Sequence, residues 1–160
     1  MLYNFTPANT SQIPNSRLTF DSSGNLYGTT ITSRDGLYGT VFEVSPSSSG
    51  IWTEKTLHRF NSGNDGGNTT GNLVFDASGN LYGVTYGGGS GCNQNLCGVV
   101  YKLAPQSGGY TESIVHPFES AADGSNPYSG LFLDGSGNLY GTTYHGGSRY
   151  GYGTVYQITP

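Results

Sequence analysis

The nine residues Phe75-Asp76-Ala77-Ser78-Gly79-Asn80-Leu81-Tyr82-Gly83 have two near-copies in the chain, and their reading decides the fold. Phe20-Asp21-Ser22-Ser23-Gly24-Asn25-Leu26-Tyr27-Gly28 precedes them, and Leu133-Asp134-Gly135-Ser136-Gly137-Asn138-Leu139-Tyr140-Gly141 follows. The Asp residues are spaced 55 and then 58 positions apart, which makes this a repeat protein. Each copy has the grammar of a tight β-hairpin. An apolar strand runs into Asp, a Ser-Gly-Asn turn reverses the chain, and Leu-Tyr-Gly opens the next strand. Gly and Asn tolerate the positive φ that such turns need. The Asp side chain can cap the turn amides.

On either side of each copy the same sequence of elements recurs. Before the turn stand the half-alternating stretches 17–20, 71–75 and 130–133; after it come 26–30, 81–86 and 139–144. Gly-Thr-Val-Phe at 39–42, Gly-Val-Val-Tyr at 98–101 and Gly-Thr-Val-Tyr at 153–156 open third strands that end at Pro46, Pro105 and Pro160. Proline cannot donate to a ladder and so fits a strand end. Residues 51–60 and those from 110 onward alternate as fourth strands. Leu2-Tyr3-Asn4-Phe5, Leu57-His58-Arg59-Phe60 and Val115-His116-Pro117-Phe118 form a further matched set. These matches divide one domain into repeats 2–56, 57–114 and 115–160, the last without a fourth strand. The expectation is an all-β fold with three four-stranded blades of β-propeller type; the alternative is a β-trefoil, closed by three such repeats.

Gly-Asn-Leu-Tyr-Gly-Thr-Thr at 137–143, followed by Tyr144-His145-Gly146-Gly147 and Gly153-Thr154-Val155-Tyr156, resembles the tandem repeat called GloVer. The likeness runs through all three repeats. It implies a β-propeller-like array, similar also to NHL repeats, in a bacterial secreted or surface-anchored protein. It carries over no particular biochemical activity, so it informs the fold more than the function. Repeat one departs from the pattern at Ile31-Thr32-Ser33-Arg34-Asp35, and its loop 8–16 lacks the Asp-Gly step found at Asp65-Gly66 and Asp123-Gly124.

Composition narrows the function classes. With 27 Gly, 13 Tyr and only 10% charged residues, the chain is a turn-rich aromatic β protein. A net charge of -4 with six Lys and Arg leaves no basic patch, so nucleic acid is not an expected partner. No apolar run approaches the roughly 20 residues of a membrane-spanning helix. The abundance of Ser, Thr, Asn, Gly and Tyr matches exported repeat proteins, so the expected location is extracellular or at the cell surface. Sequons stand at Asn4, Asn9 and Asn68.

Candidate chemistry is sparse. Cys92 and Cys97 flank a loop absent from the other repeats, and a local disulfide is the expectation. Their spacing is neither that of a zinc pair nor of a redox motif. Asp21, Asp76 and Asp134 recur at the hairpin turn, which assigns them to capping. Loop 61–68 is rich in oxygen ligands but lacks the spacing of a calcium loop and its closing Glu. His58 and His116 share one repeat position, where repeat one has Tyr3, and read as packed side chains. Tyr86, Tyr144, His145 and Tyr150, beside Gly-rich loops, and Trp52, opening a fourth strand, are the candidate ligand-binding residues, suited to stacking on sugars. No metal, cofactor or catalytic group is expected.

These readings lead to a non-catalytic extracellular structural or interaction module that assembles through its repeats, the alternative being a carbohydrate-binding, lectin-like module. Residues 2–5 read as the tail of a fourth strand, and the third repeat lacks one. The expected partner is therefore a second copy, joined through strand edges at the termini; a piece of a longer array is the open alternative.

Overall fold

The computed structural model describes residues 1–6, 13–31, 38–90, 97–119, 123–147 and 151–160. It is all-β apart from one short 3-10 turn, Gly63–Asp65. Its strands are β1 (Ile13–Pro14), β2 (Thr19–Phe20), β3 (Leu26–Ile31), β4 (Thr40–Pro46), β5 (Trp52–Arg59), β6 (Gly67–Phe75), β7 (Leu81–Gly87), β8 (Val99–Gln106), β9 (Gly109–Pro117), β10 (Ser125–Pro127), β11 (Phe132–Leu133), β12 (Leu139–His145) and β13 (Val155–Ile158). Among the described residues no helix is long and apolar enough to cross a membrane.

Three antiparallel sheets result, one for each turn motif. In sheet 1, β1 and β2 both pair with β3, then β4 and β5 follow; sheet 2 runs β6-β7-β8-β9; in sheet 3, β10, β11 and β13 all flank β12. β1 with β2, and β10 with β11, are two halves of the element that β6 forms unbroken. Pro14 and Pro127 pair with Thr30 and Thr143, and at the equivalent place Thr69 pairs with Thr85. Proline removes a ladder donor in repeats one and three, whereas β6 has threonine there and shifts register only between Thr70 and Val74.

Among the described residues every strand ladder lies within one sheet, and an isolated bridge, Asn72 to Gly130, crosses from sheet 2 to sheet 3. A trefoil would pair strands of different repeats into a common barrel. The meander of each sheet is instead the topology of a propeller-type blade.

The sheets are offset from the sequence repeats. β5 crosses the boundary expected after residue 56, and β9 the one after 114, because a strand follows its ladder partner and not the sequence period. Residues 1–6, expected to include the tail of a strand, are not in one. They pack against sheet 1, where Tyr3 and Phe5 join Trp52 over Leu26, Phe42 and Val44.

The core lies between sheets. Tyr27 and Val41 of sheet 1 meet Leu73, Leu81, Tyr101 and Leu103 of sheet 2. Tyr82, Val84 and Val100, on the other face of sheet 2, meet Leu131 and Leu139 of sheet 3. Each sheet therefore has a leading face, carrying the Leu of the turn motif, and a trailing face, carrying its Tyr. Apolar burial between these faces is the main stabilising contribution.

Candidate interaction surface

The turn motif behaves as the sequence implies. In each copy one oxygen of the Asp carboxylate accepts two backbone N–H groups and the other accepts the Asn amide and the Tyr hydroxyl. For Asp76 the donors are Ser78 and Asn80 at 2.8 and 2.9 Å, the Asn80 side chain at 2.7 Å and Tyr82 at 3.1 Å. Asp21 and Asp134 repeat this set at 2.8 to 3.2 Å and 2.8 to 3.0 Å. Hydrogen bonds from Asn138, Ser136 and Tyr140 hold Asp134 down to about 2. In Asp21 and Asp76 burial pulls the other way, yet the same donors still keep the carboxyl below its usual range. All three carboxylates are thus committed to shaping their turns.

With the turn in place, the next strand presents its Tyr to the trailing face. Tyr27 meets Phe75 edge-on at 5.0 Å across the first contact between sheets. Along the same face the third strand presents Val41, Val100 and Val155. The first two are 0% exposed, and Val155 is 83% exposed. On the trailing face of sheet 3, Phe132 is 65% exposed and Tyr140 and Thr142 are not fully covered. These four residues, with Ser129, Gly130, Leu131 and Gly141, line a hollow of about 320 Å³.

The leading face of sheet 1 is covered over its outer half by Tyr3, Phe5 and Trp52, and open at its inner edge. There Leu18 and Phe20 are 48% and 65% exposed, while Leu73 and Leu131, which match Leu18 in the repeat, are 1% and 5% exposed. The molecule thus displays one uncovered trailing face and one partly uncovered leading face. These are the two surface types that already meet twice inside it.

The predicted sugar-stacking residues fall at two ends. Tyr86 and Tyr144 occupy matched positions near the ends of β7 and β12, followed by Gly-rich loops. Tyr86 lies edge-on to Tyr128 at 6.3 Å, and the exposed Tyr144 stands perpendicular to His145 at 4.6 Å. Tyr152, bridged to Gly146, is almost wholly exposed at the same end. Trp52 is elsewhere: it pairs with Pro46 beside the opposite turn and packs over Val44, so the structure does not bring it to the tyrosines. Tyr150 lies outside the described residues. Cys97 is disulfide-bonded, while its expected partner Cys92 is outside the described residues, as is the sequon residue Asn9.

Two features escaped the sequence reading. His116 Nε2 lies 2.8 Å from Asp123, and His58 Nε2 lies 3.7 Å from Asp65. Each pair ties the end of an outer strand to the loop leading to the next sheet. The signal was present: repeats two and three have both the His and the Asp-Gly step, and repeat one has neither. Burial keeps the His58 imidazole below its usual range, against the pull of Asp65. The exposed Val155, Phe132, Leu18 and Phe20 were equally hidden, since they are the same residue types that fill the core elsewhere. Among the described residues no group of three or more His, Cys, Asp or Glu could hold a metal ion.

A family model described as the Gloeobacter/Verrucomicrobia repeat matches residues 1–160. No curated protein matches the chain.

Proposed function

The chain belongs to the Gloeobacter/Verrucomicrobia repeat family, and from that premise we propose a non-catalytic, extracellular interaction module that assembles by stacking sheet faces. The observation that carries this reading is Val155, 83% exposed where its repeat equivalents are fully buried. Leading and trailing faces are different surfaces, so such contacts are heterologous and propagate head to tail. That Asp21, Asp76 and Asp134 each spend both carboxylate oxygens on their own turn supports a structural rather than a catalytic role for these three repeated carboxylates. Sedimentation velocity over a wide concentration range tests the proposal. The 160-residue chain should associate reversibly, and Val155→Lys should leave it monomeric with an unchanged β spectrum. A wild-type chain that stays monomeric throughout would refute stacking.

A second reading, carbohydrate binding, is favoured by the loop-end tyrosines. Tyr144 and Tyr152 offer exposed flat rings at one end of the sheets, and aromatic faces suit the C–H surfaces of sugars. A glycan array probed with the wild type and with Tyr144→Ala checks it. Binding that the substitution abolishes supports this reading, and no binding to any glycan removes it.

A further inference from the structure

Residues 1–5 sit where the repeat places the end of an outermost strand. Phe60, just past β5, packs on Tyr101 of sheet 2 with ring centroids 5.0 Å apart; Phe118, just past β9, packs on Tyr156 of sheet 3 at 5.0 Å. Phe5 packs on Phe42 of sheet 1 at 4.9 Å, completing the series. The residue two positions earlier repeats as well: His58 to Phe60 at 4.5 Å, His116 to Phe118 at 4.9 Å and Tyr3 to Phe5 at 5.1 Å. In sheets 1 and 2 this earlier residue belongs to the outermost strand, His58 opposite Val41 and His116 opposite Val100.

The matching position in sheet 3 is Val155, in β13. This strand pairs with β12 on one side, and among the described residues no strand pairs with its other edge. An unpaired edge beside an exposed apolar face is a template for strand addition. We propose that residues 2–4 of one copy of this chain add as the outermost strand to β13 of a second copy, Tyr3 opposite Val155 and Asn4 opposite Thr154. The register is that of His58 with Val41 and of Arg59 with Thr40. Phe5 stays on Phe42 of its own sheet, as Phe60 stays on Tyr101, so one segment links the two copies. The same docking would set Tyr140 of the second copy against Phe20 of the first, as Tyr27 stands against Phe75. This inference rests on the stacking reading and assigns it a partner and a register.

Amide hydrogen exchange of the wild-type chain, dilute and concentrated, tests it together with cysteine pairing. In the associated form the β13 amides with their N–H on the outer edge should exchange on the order of tenfold more slowly. Tyr3→Cys and Val155→Cys chains, mixed under mild oxidation, should form a disulfide-linked heterodimer, since directly opposed Cβ atoms are close enough to bridge. Tyr3→Cys mixed with Asn138→Cys should not. Association without slowed β13 exchange and without the Tyr3–Val155 link would overturn strand donation and leave stacking standing. Slowed exchange without that link would assign the edge to a different segment and equally overturn the proposal. No association at all would overturn both readings.

Discussion

Glu112 shows how one side chain can carry a cost the rest of its sheet conceals. It stands on β9 opposite Leu103, among Tyr101, Asp65 and the edge of the first sheet contact. Burial, and then the negative charge of Asp65, pushes its carboxyl up to about 7 from an ordinary 4.5. One of its oxygens is buried without a hydrogen bond, as is the Tyr101 hydroxyl. Because the folded value lies above the unfolded one, the neutral form is favoured by folding. The stabilisation is fully present below pH 4.5 and is lost as pH rises through about 7. His58 acts in the opposite sense, since a lowered imidazole costs stability as pH falls. Glu112→Gln should therefore raise the unfolding free energy from urea titration at pH 8, by on the order of 1 kcal/mol after allowing for partial exposure, and change it little at pH 4.5. Equal shifts at both pH values would show that Glu112 is not the titrating group.

Within a sheet, the second and third strands of each repeat are matched by a glycine against an aromatic. Gly28 pairs with Phe42, Gly83 with Tyr101 and Gly141 with Tyr156. A Cβ on Gly83 would overlap the Tyr101 hydroxyl, and Leu73 hems in the same space. The Leu-Tyr-Gly motif thus needs its glycine for close approach, and each aromatic of the third strand lies across it. Gly83→Ala should destabilise by roughly 1–3 kcal/mol through overpacking. Gly135 is a useful contrast, since a Cβ there meets nothing within 4 Å and repeat two already has Ala77 at that place. Gly135→Ala should be neutral or stabilising by up to about 1 kcal/mol, through a less flexible unfolded chain. Thermal unfolding of the two variants side by side checks the pair. Similar losses in both would mean that close approach is not what selects the glycine.

The three sheets together form a molecule with unlike ends. A trailing face with Phe132 and Val155 exposed and a leading face with Leu18 and Phe20 exposed give head-to-tail association a direct signature. Val155→Lys blocks one end and Phe20→Asp the other, and both positions are exposed enough for the variants to fold. Each variant alone should stay monomeric. A mixture should form heterodimers and nothing larger, because only one competent pair of faces remains. Burying Val155 contributes roughly 1.5 kcal/mol or more, so a buried charge there suffices to prevent docking. A mixture that remains monomeric, while the wild type associates, would point to a two-fold interface in which like surfaces meet.

The repeat period, the Asp-capped turns, the strand content and the propeller-type class were all legible in the residues. Each depends on local chemistry: positive φ at Gly, side-chain capping by Asp, and alternation of apolar positions along a strand. The packing of His58 and His116 was legible for the same reason. The fourth strands were legible too, residues 51–60 and those from 110 onward matching β5 and β9, but residues 1–6, read as including the tail of a strand, are not in one. The candidate site was the least legible of all. Val41, Val100 and Val155 are the same residue in the same motif, and exposure separates them only because two have a neighbouring sheet against them and the third does not. Trp52 likewise reads as a sugar-stacking ring until Phe5 and Val44 are seen packed with it. Turns and repeats are properties of neighbours along the chain, whereas a surface exists only once distant sheets have chosen which faces to bury.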